Sequence, residues 1–479
     1  MKNIFATKPA ITPIDAYKIL YNVGGLMDLP TGFYVKGTRG ENILNGGMGS
    51  LVGIVGKPNT FKSTIAHYVT LSAASKVAAG GYSPYINTFD TEMNIHPDRL
   101  RYFSNRFEEF RNIDIIDSGI WNISDPTKHM GNEWFKLLKD FLKGEKLKNV
   151  KNYTLKTPFL GRDGKEITTV MPTFGELDSL TKFQTADIDE MQNKNQLGES
   201  GGNTIFMRAG LGKARLIMEL PILCNGAAHY TVATAHVGLE NTMGVPQHQQ
   251  PTKKLQHMKQ GEKIKGAPDD FFFLTNSLWQ AVTSSLLINK DTRAPLYPRT
   301  RGDDGEASTD LNLVTIKLLR NKSGPSGYSV PLVISQTEGV LASLSEFHYI
   351  KEDEQYKRFG IDGNNVTYHL TLYPKVNLMR TTVRELLDND PLLRRAVKIT
   401  ADILQIKKLY KEIPLEIPPM DLLYDKLEKE YGWDVLLNTR DYWTFDQYTN
   451  KVPFLSTMDI LETYHGLYKP YFLTSTKAK

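Results

Sequence analysis

The run GKPNTFKST, from Gly56 to Thr64, constrains this chain more than any other stretch. An apolar segment, LVGIV, leads into it, and a segment that suits a helix, IAHYVTLSAASKVA, leads out. Strand, tight loop and helix in that order bring many backbone N–H groups and the positive end of a helix dipole to one point. Such a point suits a ligand with several anionic oxygens. Gly56 lets the backbone approach the ligand closely. Lys62 is then placed to reach the β and γ phosphates of a nucleoside triphosphate, and the Ser63 hydroxyl to ligate Mg2+, with Thr64 one residue further into the helix. Lys57, Pro58, Asn59, Thr60 and Phe61 form the rest of the loop. The pattern departs from the usual phosphate loop at Phe61, where a second glycine is expected. A surface turn before an amphipathic helix would account for the loop but leave LVGIV without a purpose.

With 479 residues, 40% of them hydrophobic and 23% charged, the chain is long enough for several globular domains. The formal net charge is only +5, so a polyanion would have to be met by local basic patches rather than by an overall field. Cys224 is the only cysteine, which excludes intrachain disulfides and a cysteine-built metal site and fits a reducing cytoplasm. Within LIMELPILCNG it reads as inert packing. The N-terminus MKNIFATKPAITP has no apolar core of signal-peptide length, and no run of about 18 apolar residues occurs, so no membrane anchor is expected.

Along the chain, PIDAYKILYNVGGLM reads as a helix and GFYVKG as a short strand before the turn NGGMGS. YINTF reads as a strand that delivers Asp90 and Glu92 at its C-terminal end, the end at which parallel α/β sheets place ligands. IDIIDS, at 113–118, reads as a further strand, NEWFKLLKDFLKGEKLK as a helix with a basic face, and TLKTPFLGRDGKEITTVM as a hairpin turning at Asp163-Gly164. MPTFGELDSL reads as a strand ending in Asp178, although Pro172, Gly175 and Glu176 make it irregular. The polar stretch 181–203 reads as a loop, IFMRAGLGKARLIMELPILCNG as a long helix and YTVATAHVG as an apolar strand. A second polar loop, 239–268, carries Lys253, Lys254, Lys259, Lys263 and Lys265. Both loops follow strand ends and should open on the side of the phosphate loop. A helix is expected at LTNSLWQAVTSS, a strand at LLIN, a disordered insertion around RTRGDDGEASTD, and strands at LNLVTIKLLR and YSVPLVIS around NKSGPSG. Strands alternating with helices predict a mostly parallel α/β sheet, and charged helices after about 345 a separate C-terminal region.

Hydrolysis of ATP needs a group to orient or deprotonate water, a metal holder and a cation at the γ phosphate. Glu92 is the candidate for the water, Asp178 for the shell of Mg2+, and His236, at the end of YTVATAH, for a sensor of the γ phosphate. Arg320 and Lys322 flank Asn321 at a turn after a strand, where they could reach a neighbouring subunit's nucleotide or simply form a solvated basic turn. The lysines of the second loop have the same two readings, and the functional one is salt-dependent binding of a polyanion.

In this order the parts resemble the RecA family of DNA strand-exchange proteins, and among them the phage recombinases. NTFKS, with Phe before the lysine, and TAHVG, with histidine in the sensor position, carry the likeness to the phage members. FDTEMNIHP resembles the family's strand with the hydrolytic glutamate, which implies that role for Glu92; Arg99, in HPDRL just after it, is counted with the nucleotide-binding residues. LDSL resembles the family's Walker B ending, which puts Asp178 on the metal. The polar loops fall where the family's DNA-binding loops occur, and RNKSGPSG resembles the turn whose cations, here Arg320 and Lys322, act on the adjacent subunit's ATP. VPLVISQTEGV, FGIDGNNVTYHL and VRELLDNDPLLRRAVKITADIL extend the likeness to about residue 405. The longer region 120–170, the insertion at 290–310 and the last 75 or so residues have no counterpart.

The resemblance implies a RecA-like P-loop ATPase core at 46–345, an N-terminal oligomerisation segment at 1–45 and an α-rich C-terminal region at 346–479. It further implies ATP and Mg2+ as ligands, single-stranded and also double-stranded DNA as partners, and a helical filament in the cytoplasm of a phage-infected bacterium. Two alternatives remain open: a hexameric DnaB-like replicative helicase, and a nucleotide-switched mediator without turnover.

Overall fold

The computed structural model describes residues 19–161, 163–186, 188, 190, 202–240, 255–364, 366–411 and 415–473. A ten-stranded sheet forms its centre. Its parallel part contains β3 (Leu51–Gly56), β4 (Ile86–Asp90), β5 (Trp121–Ser124), β8 (Thr173–Asp178), β9 (His229–Leu239) and β11 (Ser277–Leu286). These lie in the order β11-β3-β9-β8-β4-β5. The antiparallel strands β12 (Leu311–Asn321), β13 (Ser329–Ser335) and β14 (Gly339–Val340) continue the sheet beyond β11, and β10 (Glu262–Ile264) pairs with the end of β9. The hairpins β1 (Phe33–Lys36) with β2 (Asn42–Asn45) and β6 (Thr154–Leu160) with β7 (Glu166–Val170) lie outside it. This is the mostly parallel α/β sheet that the alternation of strands and helices predicts. Every residue of β3 and β8 is buried, as strands covered on both faces require.

Helix α1 (Lys62–Ala79) leaves the phosphate loop and packs on β8 and β9. The short α2 (Pro97–Ser104) follows β4, and α3 (Gly131–Lys139) follows β5. The long α4 (Gly202–Ala227) lies between the polar loops, with Cys224 buried in it, and α5 (Asp269–Leu274) leads into β11. Helix α6 (Ala342–Glu352) packs on β13, and α8 (Pro391–Leu409), capped by the Asp390 carboxylate, packs on α6 after the shorter α7 (Val383–Asn389). Residues of the C-terminal region close over the N-terminal segment: Trp443 Nε1 donates to Leu20 O (3.1 Å), Gln405 Nε2 to Leu26 O (3.0 Å), and Asn42 N to Asp459 Oδ1 (2.7 Å). One hydrophobic core runs through these contacts and one face of the sheet, and a second covers the other face.

Several local expectations fail. LTNSLWQAVTSS is not a helix: after α5 it becomes β11, buried between β3 and β12, so its apolar residues do not alternate and mimic a helical face. The strand expected at LLIN ends at Leu286 and gives way to turns. IDIIDS is a set of turns tied by the Asp114 carboxylate, which accepts from Ile116 N and Asp117 N, and the strand forms only at Trp121. The charged insertion at 299–310 is held in place: Arg380 pairs with Asp304 (2.6 Å), Arg299 with Glu338 (3.0 Å), and Asp310 accepts from Ser335 Oγ (2.8 Å). Of the helix expected at PIDAYKILYNVGGLM, the described residues from Ile19 onward contain only a 3-10 turn at Gly25–Met27. Among the described residues no helix is long and apolar enough to cross a membrane.

Candidate nucleotide site

Gly56 opens the phosphate loop because nothing larger fits: a Cβ there would stand 2.5 Å from Thr60 Oγ1 and 3.1 Å from Ala281 Cβ. Asn59 and Phe61 both take left-handed backbone, with φ of 60°. Phe61 thus adopts the conformation for which glycine is usual, at a steric cost, and its half-buried ring packs on the main core. Thr60 Oγ1 and Lys62 Nζ both donate to Lys57 O, at 2.7 and 2.9 Å, so the ammonium curls back over its own loop. Burial lowers the Lys62 pKa, with Asp178 and Glu92 pulling the other way. Ser63 lies half-buried in the first turn of α1. The Thr64 hydroxyl is buried and accepts from Arg99 Nη2 at 3.2 Å, so Arg99 braces the helix behind the loop.

Parallel register brings the other candidates to the same end of the sheet. His236 pairs with Gly56 between β9 and β3, and Asp178 with Asp90 between β8 and β4. The Asp90 carboxylate accepts from Glu92 N (3.0 Å) and Ile95 N (2.8 Å), shaping the turn that presents Glu92. Glu92 Oε1 then receives His236 Nε2 and Ser179 Oγ, both at 2.9 Å. Burial opposes the Glu92 carboxylate, but these hydrogen bonds, with the charges of His236 and Lys62, hold its pKa below the ordinary value. Asp178 is buried and accepts from Thr234 Oγ1.

Among the described residues no group of three or more His, Cys, Asp or Glu side chains could hold a metal by itself. One hydroxyl, Ser63, and one buried carboxylate, Asp178, beside a phosphate loop do fit Mg2+, which keeps most of its shell in phosphate oxygens and water.

Both polar loops are tied to this site through Glu262, Gln280, Thr181 and Lys213, which the sequence did not single out. Lys57 Nζ pairs with Glu262 Oε1 at 3.2 Å, and Gln280 Nε2 donates to Glu262 Oε2 at 2.9 Å, which fixes β10 to the phosphate loop. Lys265 N donates to His236 O (2.7 Å), while Thr181 Oγ1 accepts from His236 N (3.0 Å) and donates to Lys265 O (3.1 Å). Lys213 Nζ reaches Thr181 O and Gly266 O, with its pKa pushed down to about 8 by burial. Lys259, Lys263 and Lys265 are exposed; Lys253 and Lys254 lie outside the described residues.

Arg320 and Lys322 stand elsewhere. Arg320 pairs in register with Leu278, itself opposite Gly53, so it lies toward the start of β3 and two strands away. At about 3.3 Å per residue and 4.8 Å per strand, that is roughly 14 Å from Gly56, away from the loop. Their side chains donate to Phe273 O and Leu274 O, at 3.4 and 3.0 Å.

No family model and no curated protein matches the sequence. Among solved structures, the chain is similar to the "ATPase Domain of G40P", at 13% identity and a TM-score of 0.33, covering 60% of this chain and 82% of that chain. A likeness this loose carries no functional inference.

Proposed function

We propose that this chain is an ATP-dependent DNA recombinase, which binds single-stranded DNA, assembles into filaments and promotes strand exchange. One observation carries the reading: Lys62, Ser63, Asp178, Glu92 and His236 meet at one end of the sheet, and both polar loops leave from that end beside the His236–Glu92 bond. Lys62 and the loop N–H groups would bind the triphosphate. Mg2+, when bound, neutralises phosphate charge. Glu92, kept ionised, orients a water and accepts its proton. His236 links that carboxylate to the return of the second loop, so nucleotide state and DNA affinity vary together.

The position of Arg320 and Lys322 supports their action on a neighbour's nucleotide, since their own lies toward the other end of the strands. Duplex DNA enters as the second substrate of strand exchange. The test is ATPase rate and strand exchange on homologous DNA for the full chain and Lys62→Ala. DNA-stimulated hydrolysis with strand exchange, both lost in Lys62→Ala, is the expected result. Hydrolysis coupled to duplex unwinding would favour the DnaB-like helicase, and DNA binding without hydrolysis the mediator.

A further inference from the structure

Ser63 and His67 lie one helical turn apart on α1, and Asp178 and Glu176 two residues apart on β8, so each couple projects from one face of its element. Behind the two metal candidates, therefore, the same helix and strand meet a second time. His67 Nδ1 lies 2.8 Å from Glu176 Oε2, and both side chains are buried. The carboxylate also receives Thr88 Oγ1 at 3.4 Å, whose oxygen accepts from Trp121 Nε1 at 2.9 Å. The rings of Trp121 and Phe103 lie 5.7 and 6.3 Å from the imidazole. Side chains of α2, β4 and β5 thus converge on this pair between β8 and the helix that carries the phosphate loop.

A buried ion pair is a poor source of net stability, because the cost of dehydrating both charges roughly cancels their attraction, and apolar residues would pack as well. It does fix a direction and a distance. We propose that His67 and Glu176 are positioning residues for the metal site: their bond sets the spacing of β8 from α1, and with it the separation of Asp178 from Ser63. This rests on the nucleotide reading above. It also accounts for a buried glutamate in the middle of β8.

The test is Mg2+-dependent binding of a fluorescent ATP analogue, alongside thermal unfolding, for the full chain and the double variant His67→Leu/Glu176→Val. If the pair positions the metal ligands, the variant unfolds near the wild-type temperature and binds the analogue normally without Mg2+. Its Mg2+ midpoint then rises about tenfold, the usual cost of losing a group that orients a metal ligand. A folded double variant with the wild-type midpoint overturns the proposal. Should the double variant not fold, the isosteric Glu176→Gln decides: a midpoint raised about threefold supports the pair, since a neutral amide orients its partner less firmly, and an unchanged one overturns it. If the wild type binds no analogue at all, the nucleotide reading fails, and the pair with it.

Discussion

Gly56 and His236 are register partners in the parallel pairing of β3 and β9, so the residue that opens the phosphate loop stands beside the one whose imidazole holds Glu92. Any group that moves Glu92 away from His236 acts on the strand that feeds the second polar loop. In the proposed mechanism, nucleotide chemistry and loop position are joined through this carboxylate.

Glu92→Gln keeps the shape of the side chain and loses the charge that orients water. It is expected to bind an ATP analogue as the wild type does and to hydrolyse ATP about 100-fold more slowly. Steady-state hydrolysis beside equilibrium binding checks both halves; equal rates would remove Glu92 from this role.

Glu262→Gln weakens the bond to Lys57 and so loosens β10 from the phosphate loop. The ratio of single-stranded DNA affinities in the ATP-analogue and ADP states should shrink, with analogue affinity itself little changed, because Lys57 is half-exposed and such pairs contribute little to stability. Fluorescence anisotropy of labelled DNA in the two states measures the ratio.

Reversing Lys253, Lys254 and Lys259 to Glu is expected to lower affinity for single-stranded DNA and to flatten its salt dependence. Each phosphate left without a neutralising cation lowers the slope of log K against log salt by about 0.7. A slope identical to that of the wild type would assign these lysines to a solvated loop.

Glu346, buried beside Lys398, has its pKa pushed up to about 8 by burial, with Lys398 opposing and Asp402, Asp441 and Asp28 reinforcing the shift. A group whose folded pKa lies above its unfolded one contributes stability that is complete below the unfolded pKa, near 4.5, and is lost as pH rises through about 8. Glu346→Gln does not titrate, so its unfolding temperature relative to the wild type should increase between those limits. Thermal unfolding across that range tests this, and a constant difference contradicts it.

The strand before the phosphate loop, β4 and β9 are legible in the sequence because each is an apolar run closed by polar residues near its C-terminal end, where the site lies. β8 is legible less clearly, because Gly175 and Glu176 interrupt it. β11 is not, since a strand covered on both faces has no alternation to read. The ordered stretch around Asp310 also reads as disordered, because the partners that hold it, Arg380, Arg384 and Ser335, come later in the chain. Glu176 with His67 and Glu262 with Lys57 are paired across more than a hundred residues, so each reads as an isolated charge until the strands are placed side by side.

Negative-stain electron microscopy of the full chain with Mg2+, a slowly hydrolysed ATP analogue and long single-stranded DNA tests the central claim most directly. The recombinase reading predicts continuous helical filaments on the DNA, absent with ADP. Discrete six-membered rings under the same conditions would contradict it.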